Sequence, residues 1–378
     1  MIKLNEKIKA SIFFLSYFET LGYNNGQWEF NFGASKLDNR NSAAIIWLNI
    51  MHNFFALGGF SNINIKDWKS SDDTILAIST GIACLKGGKE SDYINEFVSV
   101  LDDLKKDTRG SGFNTLNTLD FIKRANSVNK LQYKESMGGN GAAMRTSTIG
   151  LIYHKEKDLD KLIENSILSS RITHNYSIGY LGGLITALFT SYAIRNIPVW
   201  EWIDELFKLY ESDRIDDYMK KTNVFEQYLK EKDSFFEKWY HYKEQRLNKF
   251  KYKPHQFIFF DERLQDIEYY NYIKPKKDNY VFFGSSGLSA TIVAYDSLLM
   301  SITSDENLFD LNDTKISLDS LLFFSSLHFG DNDTTGAIAG AWFGALKGFQ
   351  NFDQEKLNQL EFHNKLQTLS DSIIKKLS

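Results

Sequence analysis

Apolar residues recur along this chain at helical spacing and rarely with the alternation of a half-buried strand. Phe97, Leu101 and Leu104 fall at i, i+4 and i+7, and Leu321, Phe324, Ser325 and His328 share a face by similar spacing. Three prolines in 378 residues leave few forced breaks. Strand-like pieces are short, Phe257–Phe260 and Tyr280–Phe283, and both lie close to proline or glycine. No internal repeat and no Gly/Ser- or Pro-rich linker divides the chain. The pattern predicts an all-α fold with few or no short strands, built as one large helical domain over residues 1–378. Residues 213–277, rich in Lys, Glu, Tyr and Phe, read as a more exposed helical excursion within it.

Two stretches imitate membrane or targeting signals. Lys3, Lys7 and Lys9 precede an apolar run from Ala10 to Phe18, but Glu6 interrupts the basic part and Glu19 closes the apolar one. No small-x-small cleavage site follows, so an amphipathic first helix is expected. The second stretch, Ile178–Ile194, lacks charges over 17 residues. That is short of the roughly 20 that span a bilayer, and its Gly, Thr, Ser and Tyr residues suit a buried core helix.

Composition narrows the function classes. With 44 Lys+Arg against 48 Asp+Glu the formal charge is −4, and 43% hydrophobic residues fit a folded globular protein. A pI near 6.0 argues against nucleic acid or an acidic membrane as the main partner. Cys84 is the only cysteine, which excludes an intrachain disulfide and any Cys-based zinc or redox site. A reducing, cytoplasmic home and a monomer are expected.

The chemistry resides in two short acidic clusters far apart in sequence. Ser71-Asp72-Asp73-Thr74 leads into Ile75–Ile78, and Gly330-Asp331-Asn332-Asp333-Thr334-Thr335 leads into Gly336–Gly340. Taken alone, each reads as an N-cap, accepting hydrogen bonds from the first turn of a helix. Together they ask for more. Each cluster has two carboxylates and a hydroxyl, so two helix starts that meet would bring four like charges into one place. A hard divalent cation resolves that conflict, because Mg²⁺ and Mn²⁺ prefer carboxylate, hydroxyl and water oxygens. The seven histidines form no ligand motif, which leaves an all-oxygen site for one or two ions.

Gly336, Gly340, Gly344 and Gly348 recur every four residues behind the second cluster. Each glycine costs about 1 kcal/mol against Ala in a helix interior, so close approach of a neighbouring helix is expected as compensation. A third motif, Gly138-Gly139-Asn140-Gly141-Ala142-Ala143-Met144-Arg145, is a glycine-rich turn or the small-residue opening of a helix towards a phosphate. No Lys-Ser/Thr follows its glycines, so it is not a Walker loop.

These motifs resemble, in order, those of the ADP-ribosylglycohydrolases. The resemblance runs through Leu21–Phe30, Trp68–Thr74, Gly138–Arg145, Arg171–His174 with Gly179–Gly182, Gly284–Gly287 with Ala294–Asp296, and His328–Phe349. Lys238-Trp239, Tyr242 and Arg246 are similar to the spacing in the ADP-ribosylarginine hydrolase subgroup. Two departures stand out. The family's Gly-Asp pair in the first helix is Phe18-Glu19 here, and a Trp- and Gly-rich stretch before Gly284 is replaced by Tyr280–Phe283.

The resemblance implies a large orthogonal bundle of helices holding two Mg²⁺ ions, with Mn²⁺ as an alternative, and ADP-ribose lying across them. It places metal ligands at Ser71, Asp72, Asp73, Asp331, Asp333 and Thr334. Asp72 or Asp73 would activate water, and Glu29 matches a flexible-loop glutamate near the reacting ribose. Gly139, Asn140, Gly141, Met144, His174, Ser285 and Ser286 match positions that line the ligand cleft. The implied activity is hydrolysis of the bond between ADP-ribose and arginine on mono-ADP-ribosylated proteins, releasing ADP-ribose. A serine linkage and a catalytically silent ADP-ribose reader are the alternatives. For the arginine side, Phe282, Phe283, Tyr295 and Glu29 are expected to offer aromatic and acidic surface to a guanidinium.

Overall fold

The computed structural model of the chain describes residues 2–31, 40–248, 283–302 and 316–378. The helices that position the site are α1 (Leu4–Tyr23), α2 (Asp72–Lys86), α3 (Leu159–Arg171), α4 (Ser177–Ile194), α5 (Phe225–Tyr242), α6 (Gly287–Met300), α7 (Asn332–Lys347) and α8 (His363–Leu377). Among the described residues there is no strand, only the isolated pairings Gly139–Ser286 and Ile302–Ile316. The expected all-α fold is what the chain adopts.

Helix α1 departs from the amphipathic expectation. Every residue from Ala10 to Tyr23 is buried. The helix runs through the centre of the bundle, so its polar side chains find partners inside; Ser11 Oγ, for example, donates to the Ala341 carbonyl at 2.8 Å. Its nearest neighbour is α7, and the glycine stripe is the reason. A Cβ at Gly340 would lie 2.5 Å from the Phe14 carbonyl oxygen, and one at Gly344 would lie 2.4 Å from the Ala10 carbonyl carbon. Gly336 meets Phe18 and Ser326 in the same way. Gly348 instead ends α7 in a left-handed conformation, φ 61°, beside Glu6. Two backbones thus touch with no side chain between them along about two helical turns.

Helix α4 is buried along its whole length, as expected of a core helix. Its Phe189 packs against Trp202, Trp239, Tyr295 and Trp342, and Trp342 Nε1 donates to the Thr186 carbonyl at 3.1 Å. The described part of the Lys- and Tyr-rich excursion is helical but less peripheral than expected. Helix α5 runs into a π turn at Lys243–Leu247, and Trp239, Tyr242 and Arg246 are buried. Tyr242 Oη donates to Asp296 Oδ1 at 2.7 Å and Arg246 Nη2 to Asp296 Oδ2 at 2.9 Å, which docks the excursion on α6. A buried carboxylate can be held this way because both its oxygens are paired.

Helical spacing located core residues more reliably than helix limits. Phe97, Leu101 and Leu104 are all buried, yet the helix Glu90–Ser99 ends before Leu101 begins a new turn. Leu318–Ser326 likewise stops short of His328. Of the two strand-like pieces, 257–260 and 280–282 lie outside the described residues, and Phe283 opens a turn.

The α1–α7 contact yields a test. Alanine favours helix by about 1 kcal/mol over glycine, but at Gly340 its methyl meets backbone that cannot rotate away. Gly340→Ala should therefore lower unfolding free energy in urea by about 1–3 kcal/mol, the usual cost of overpacking. A more stable variant would show that α1 can move aside.

Candidate active site

The first acidic cluster opens α2. Ser71 does cap the helix, its Oγ accepting the Asp73 N–H at 3.2 Å, and this leaves Asp72 and Asp73 in the first turn with their carboxylates free of capping duty. The second cluster opens α7 differently. Asp331 sits at the N-cap but makes no side-chain cap bond. Its Oδ2 accepts instead from Asn140 Nδ2 at 2.8 Å, and its N–H donates to the Phe283 carbonyl at 2.8 Å. Asp333 Oδ1 accepts the Thr334 N–H at 2.8 Å.

The two helix starts meet. Thr334 Oγ1 lies 3.5 Å from Asp73 Oδ1 across 261 positions of sequence. Glu29 joins them from a 3₁₀ turn, Glu29–Asn31. That turn is pinned to the second cluster by the Phe30 N–H, which donates to the Gly330 carbonyl at 2.9 Å. One carboxylate oxygen each from Glu29, Asp331 and Asp333 lie within 4.8 Å of one another. Tyr23 and Gly110 wall in Glu29: a Cβ at Gly110 (φ 65°) would lie 2.9 Å from the Tyr23 ring and 3.0 Å from Glu29 Oε2.

Burial and mutual repulsion act on these acids in one direction. Desolvation pushes Asp72 up to about 7, with Asp333 adding to the rise. Desolvation, then the charges of neighbouring carboxylates, raise Glu29, Asp73 and Asp331 well above the ordinary range. Asp333 is raised by burial against several hydrogen bonds that favour its charge. Behind them Glu19 is raised by burial to about 8 although the Ser71 N–H and the Thr74 hydroxyl both donate to it. Asp73 Oδ2 is buried without any hydrogen-bond partner. An orphaned carboxylate oxygen among like charges is a partner that a hard cation would satisfy. The donor set of Ser71, Asp72, Asp73, Asp331, Asp333 and Thr334 fits hard divalent ions.

The glycine-rich motif borders this pocket. Asn140 bridges the two sides through Nδ2, to Asp331 and to the Gly284 carbonyl, each at 2.8 Å. The segment is a loop followed by a 3₁₀ turn at Ala143–Arg145, not the first turn of an α-helix. The N–H groups of Gly138 and Asn140 are used by Glu135 and Ser285 carbonyls. No α-helix therefore opens directly at this loop, unlike the helix opening that the bare motif suggested. Ser285 lies alongside it, whereas the Ser286 hydroxyl caps α6, accepting the Ser289 N–H at 3.0 Å. Met144 is buried below the loop.

His174 closes the same side. A Cβ at Gly141 would lie 3.0 Å from His174 Nε2, so only glycine lets the ring approach. Its Nδ1 is 2.8 Å from Thr173 Oγ1, which already accepts from Arg145 Nη2 at 2.9 Å. The threonine hydrogen is then available to Nδ1, and this favours the tautomer carrying its proton on Nε2, towards Gly139 and Gly141. Burial, reinforced by the Arg145 charge, lowers His174 to about 3, so the ring is neutral.

A model of the ADP-ribosylglycohydrolases matches residues 27–378. The chain belongs to the ADP-ribosylglycohydrolase family. It is 31% identical to ADP-ribosylhydrolase ARH1 of Dictyostelium discoideum, over 97% of this chain and 93% of that protein. It is also 31% identical to an ADP-ribosyl glycohydrolase of Acanthamoeba polyphaga mimivirus, over 95% of this chain and 68% of that protein. A solved structure of an ADP-ribosylglycohydrolase-related protein complex superposes with a TM-score of 0.53 at 14% identity, covering 98% of this chain and 99% of that one. That likeness carries the fold.

Within this ADP-ribosylglycohydrolase fold some expected residues lie elsewhere. Tyr295 is wholly buried in the aromatic core and donates to the Val199 carbonyl at 2.7 Å, so it offers no face to a substrate. Phe283 packs against His328 and Phe329, and Phe282 lies outside the described residues. Trp239, Tyr242 and Arg246 belong to the α5–α6 contact, not to the pocket. Conversely, the structure brings Tyr23, Gly110 and Glu19 to the site. Glu19 carried a signal as a departure from the family's Gly-Asp pair; Tyr23 and Gly110 carried none outside the motif in which Tyr23 stands.

The buried neutral His174 sets a pH dependence. Its folded pKa lies below the unfolded value of about 6.5, so as pH falls the unfolded chain takes up the proton first. Stability should be lost from near pH 6.5 downward, by about 2 kcal/mol at pH 5 from this residue. His174→Gln should flatten that part of the denaturation–pH curve. An identical acid slope in the variant would place the titration elsewhere.

Proposed function

We propose that this chain is a Mg²⁺-dependent hydrolase that cleaves the N-glycosidic bond between ADP-ribose and arginine on mono-ADP-ribosylated proteins. The observation that carries the reading is the meeting of the α2 and α7 starts with Glu29 in one buried acidic pocket beside the Asn140 loop. Ser71, Asp72, Asp73, Asp331, Asp333 and Thr334 would hold two ions, Mg²⁺ or Mn²⁺. Such ions, when bound, lower the pKa of water and orient a vicinal diol such as that of a ribose.

The chain's own residues have separable tasks. Asp72 or Asp73 takes the proton from the attacking water; neighbours that titrate together share that role. Glu29, beside Asp331 and Asp333, positions the distal ribose. As the C1″–N bond breaks, its electron pair leaves with the guanidine, which takes up a proton, and positive charge develops on the sugar. The surrounding carboxylates stabilise that oxocarbenium-like charge in a pocket from which water is largely excluded. Asn140 keeps Asp331 aimed inward while the loop of Gly139 and Gly141 and the His174 Nε2–H face the rest of the ligand.

Arginine as the linked residue is supported by subgroup resemblance and by the acidic field, which favours a departing guanidinium over a neutral serine hydroxyl. The aromatic surface expected beside it is not part of the support, since Tyr295 is in the core. Offering protein mono-ADP-ribosylated on Arg or on Ser, with Mg²⁺ or with EDTA, tests the reading. kcat/KM for the arginine linkage should exceed that for serine by at least about 10²-fold, roughly 2.7 kcal/mol of transition-state preference. Equal rates, or a preference for serine, would defeat the arginine reading. Asp72→Ala, Asp73→Ala, Asp331→Ala and Asp333→Ala should each lower activity by at least about 10²-fold, and full activity in EDTA would remove metal from the account.

Relief of repulsion gives a second test that needs no substrate. Mg²⁺ at a hundredfold excess over its Kd should add about 2.7 kcal/mol to unfolding free energy. A melting curve that ignores millimolar Mg²⁺ would contradict a shared acidic site.

A further inference from the structure

Helix α1 contributes no metal ligand to this reading, yet one of its turns touches both acidic clusters. Glu19 is wholly buried, and its carboxylate accepts from the first cluster at two points. The Ser71 N–H donates to Oε1, and Thr74 Oγ1 donates to Oε2 at 2.8 Å. Thr20 Oγ1, 3.0 Å from Oε2, adds a third donor from α1 itself. Residues 71 and 74 bracket Asp72 and Asp73, so Glu19 grips the loop on both sides of the two acids. Three residues further along, Gly22 abuts the second cluster: a Cβ there would lie 2.6 Å from the Asn332 carbonyl oxygen and 3.0 Å from the Asp333 nitrogen.

We propose that the Glu19–Gly22 turn of α1 is a positioning element that sets the spacing between the two metal-ligand half-sites, with Glu19 as its positioning residue. The inference rests on the metal reading of the pocket. A bond from a carboxylate to the backbone of a ligand-bearing loop fixes where the ligand oxygens point, as outer partners do at metal sites generally. The arrangement also explains why an acid stands in a place already crowded with them. Gln, the amide of the same length, has one acceptor oxygen and could not accept an N–H on one oxygen and two hydroxyls on another. On its far side the loop is braced independently: Arg109 Nη1 donates to the Ser70 carbonyl at 2.8 Å and to Glu361 at 2.7 Å. The α1 turn thus contacts both clusters, whereas the bonds of Arg109 and Glu361 among the described residues hold residue 70 on the first cluster's side.

The test compares Mn²⁺ affinity by titration calorimetry in the full chain and in Glu19→Gln, which keeps size but loses one acceptor oxygen. Thr74→Val, which removes one donor, and Gly22→Ala, which pushes on the second cluster, serve as variants that do not alter the buried charge. Asp296→Asn is the control for loss of a buried, paired carboxylate far from the pocket. Glu19→Gln, Thr74→Val and Gly22→Ala should each weaken Mn²⁺ binding about 10–100-fold, with activity recovered in part at high Mn²⁺. Asp296→Asn should lower the melting temperature and leave Mn²⁺ affinity within twofold. Wild-type affinity in folded Glu19→Gln and Gly22→Ala would overturn the proposal while leaving the metal reading intact. Failure of the unmodified chain to bind Mn²⁺ would overturn the metal reading, and the proposal with it.

Discussion

Like charge gathered out of water is the constraint around which this fold is arranged. Glu19, Glu29, Asp72, Asp73, Asp331 and Asp333 are all buried, and no Arg or Lys is bonded to any of them among the hydrogen bonds and ion pairs of the described residues. Arg145 is near enough to favour the charge of Asp72, but its own bonds go to the Gly141 and Ser169 carbonyls and to Thr173. Elsewhere the chain buries an acid in the ordinary way, Asp296 against Arg246 and Tyr242. The contrast is informative. A carboxylate paired with arginine is a structural device, whereas carboxylates left facing one another persist only when the surrounding frame leaves them nowhere to go.

That frame is built from backbone more than from side chains. Along α7 the glycines bring α1 to van der Waals contact with the helix that begins in Asp331, and Gly22 continues the contact to its first turn. Contacts of this kind have no rotamers to relax through, so a shift at one end is carried to the other. Polar groups then take up the residual freedom: Asn140 on Asp331, Glu19 on the Ser71 loop, and the Thr335 hydroxyl between His328 Nε2 at 2.8 Å and the Ser325 carbonyl at 2.6 Å. The glycines cost helix propensity, and the precision of the pocket is what the close packing returns.

How much of this could be read from the sequence followed from how local each signal was. The all-α fold, the buried helix at 177–194 and the glycine contact were legible because periodicity and composition carry them within single segments. The pairing of the two acidic clusters was legible for a different reason: neither needs four carboxylates as a cap, so the excess pointed across the fold. What periodicity could not supply was position in three dimensions. Helix α1 has an apolar run with scattered Ser, Thr and Glu, which reads as one dry face; only packing on all sides reveals that the polar residues are inside too. Tyr295 sat in a motif next to site residues and was drawn towards the pocket by that proximity, although consecutive helical residues point in different directions. The Ser286 hydroxyl was legible as polar but not as a cap, because its partner is the Ser289 N–H of its own helix.

The one acid that stands apart from the frame is Glu29. The aspartates rise from the starts of long helices, where the first-turn N–H groups and close-packed backbones restrain them. Glu29 lies on a three-residue turn whose next residue, Phe30, holds a left-handed φ of 45°, and the turn is tied to the second cluster by the Phe30 N–H on Gly330. Its side chain lies beside Gly110, where an added Cβ would come within 3.0 Å of it. A rigid set of oxygens and a separately mounted one divide the demands that a hydrolytic pocket makes. The rigid set fixes charge where it must not move, and the mounted one can adjust to a sugar whose shape changes as a glycosidic bond breaks. Glu29 also has an oxygen within reach of Asp331 and Asp333, so any movement of its turn alters the field at those two carboxylates. The Phe30 N–H on the Gly330 carbonyl therefore ties the place of Glu29 to the charge balance of the pocket.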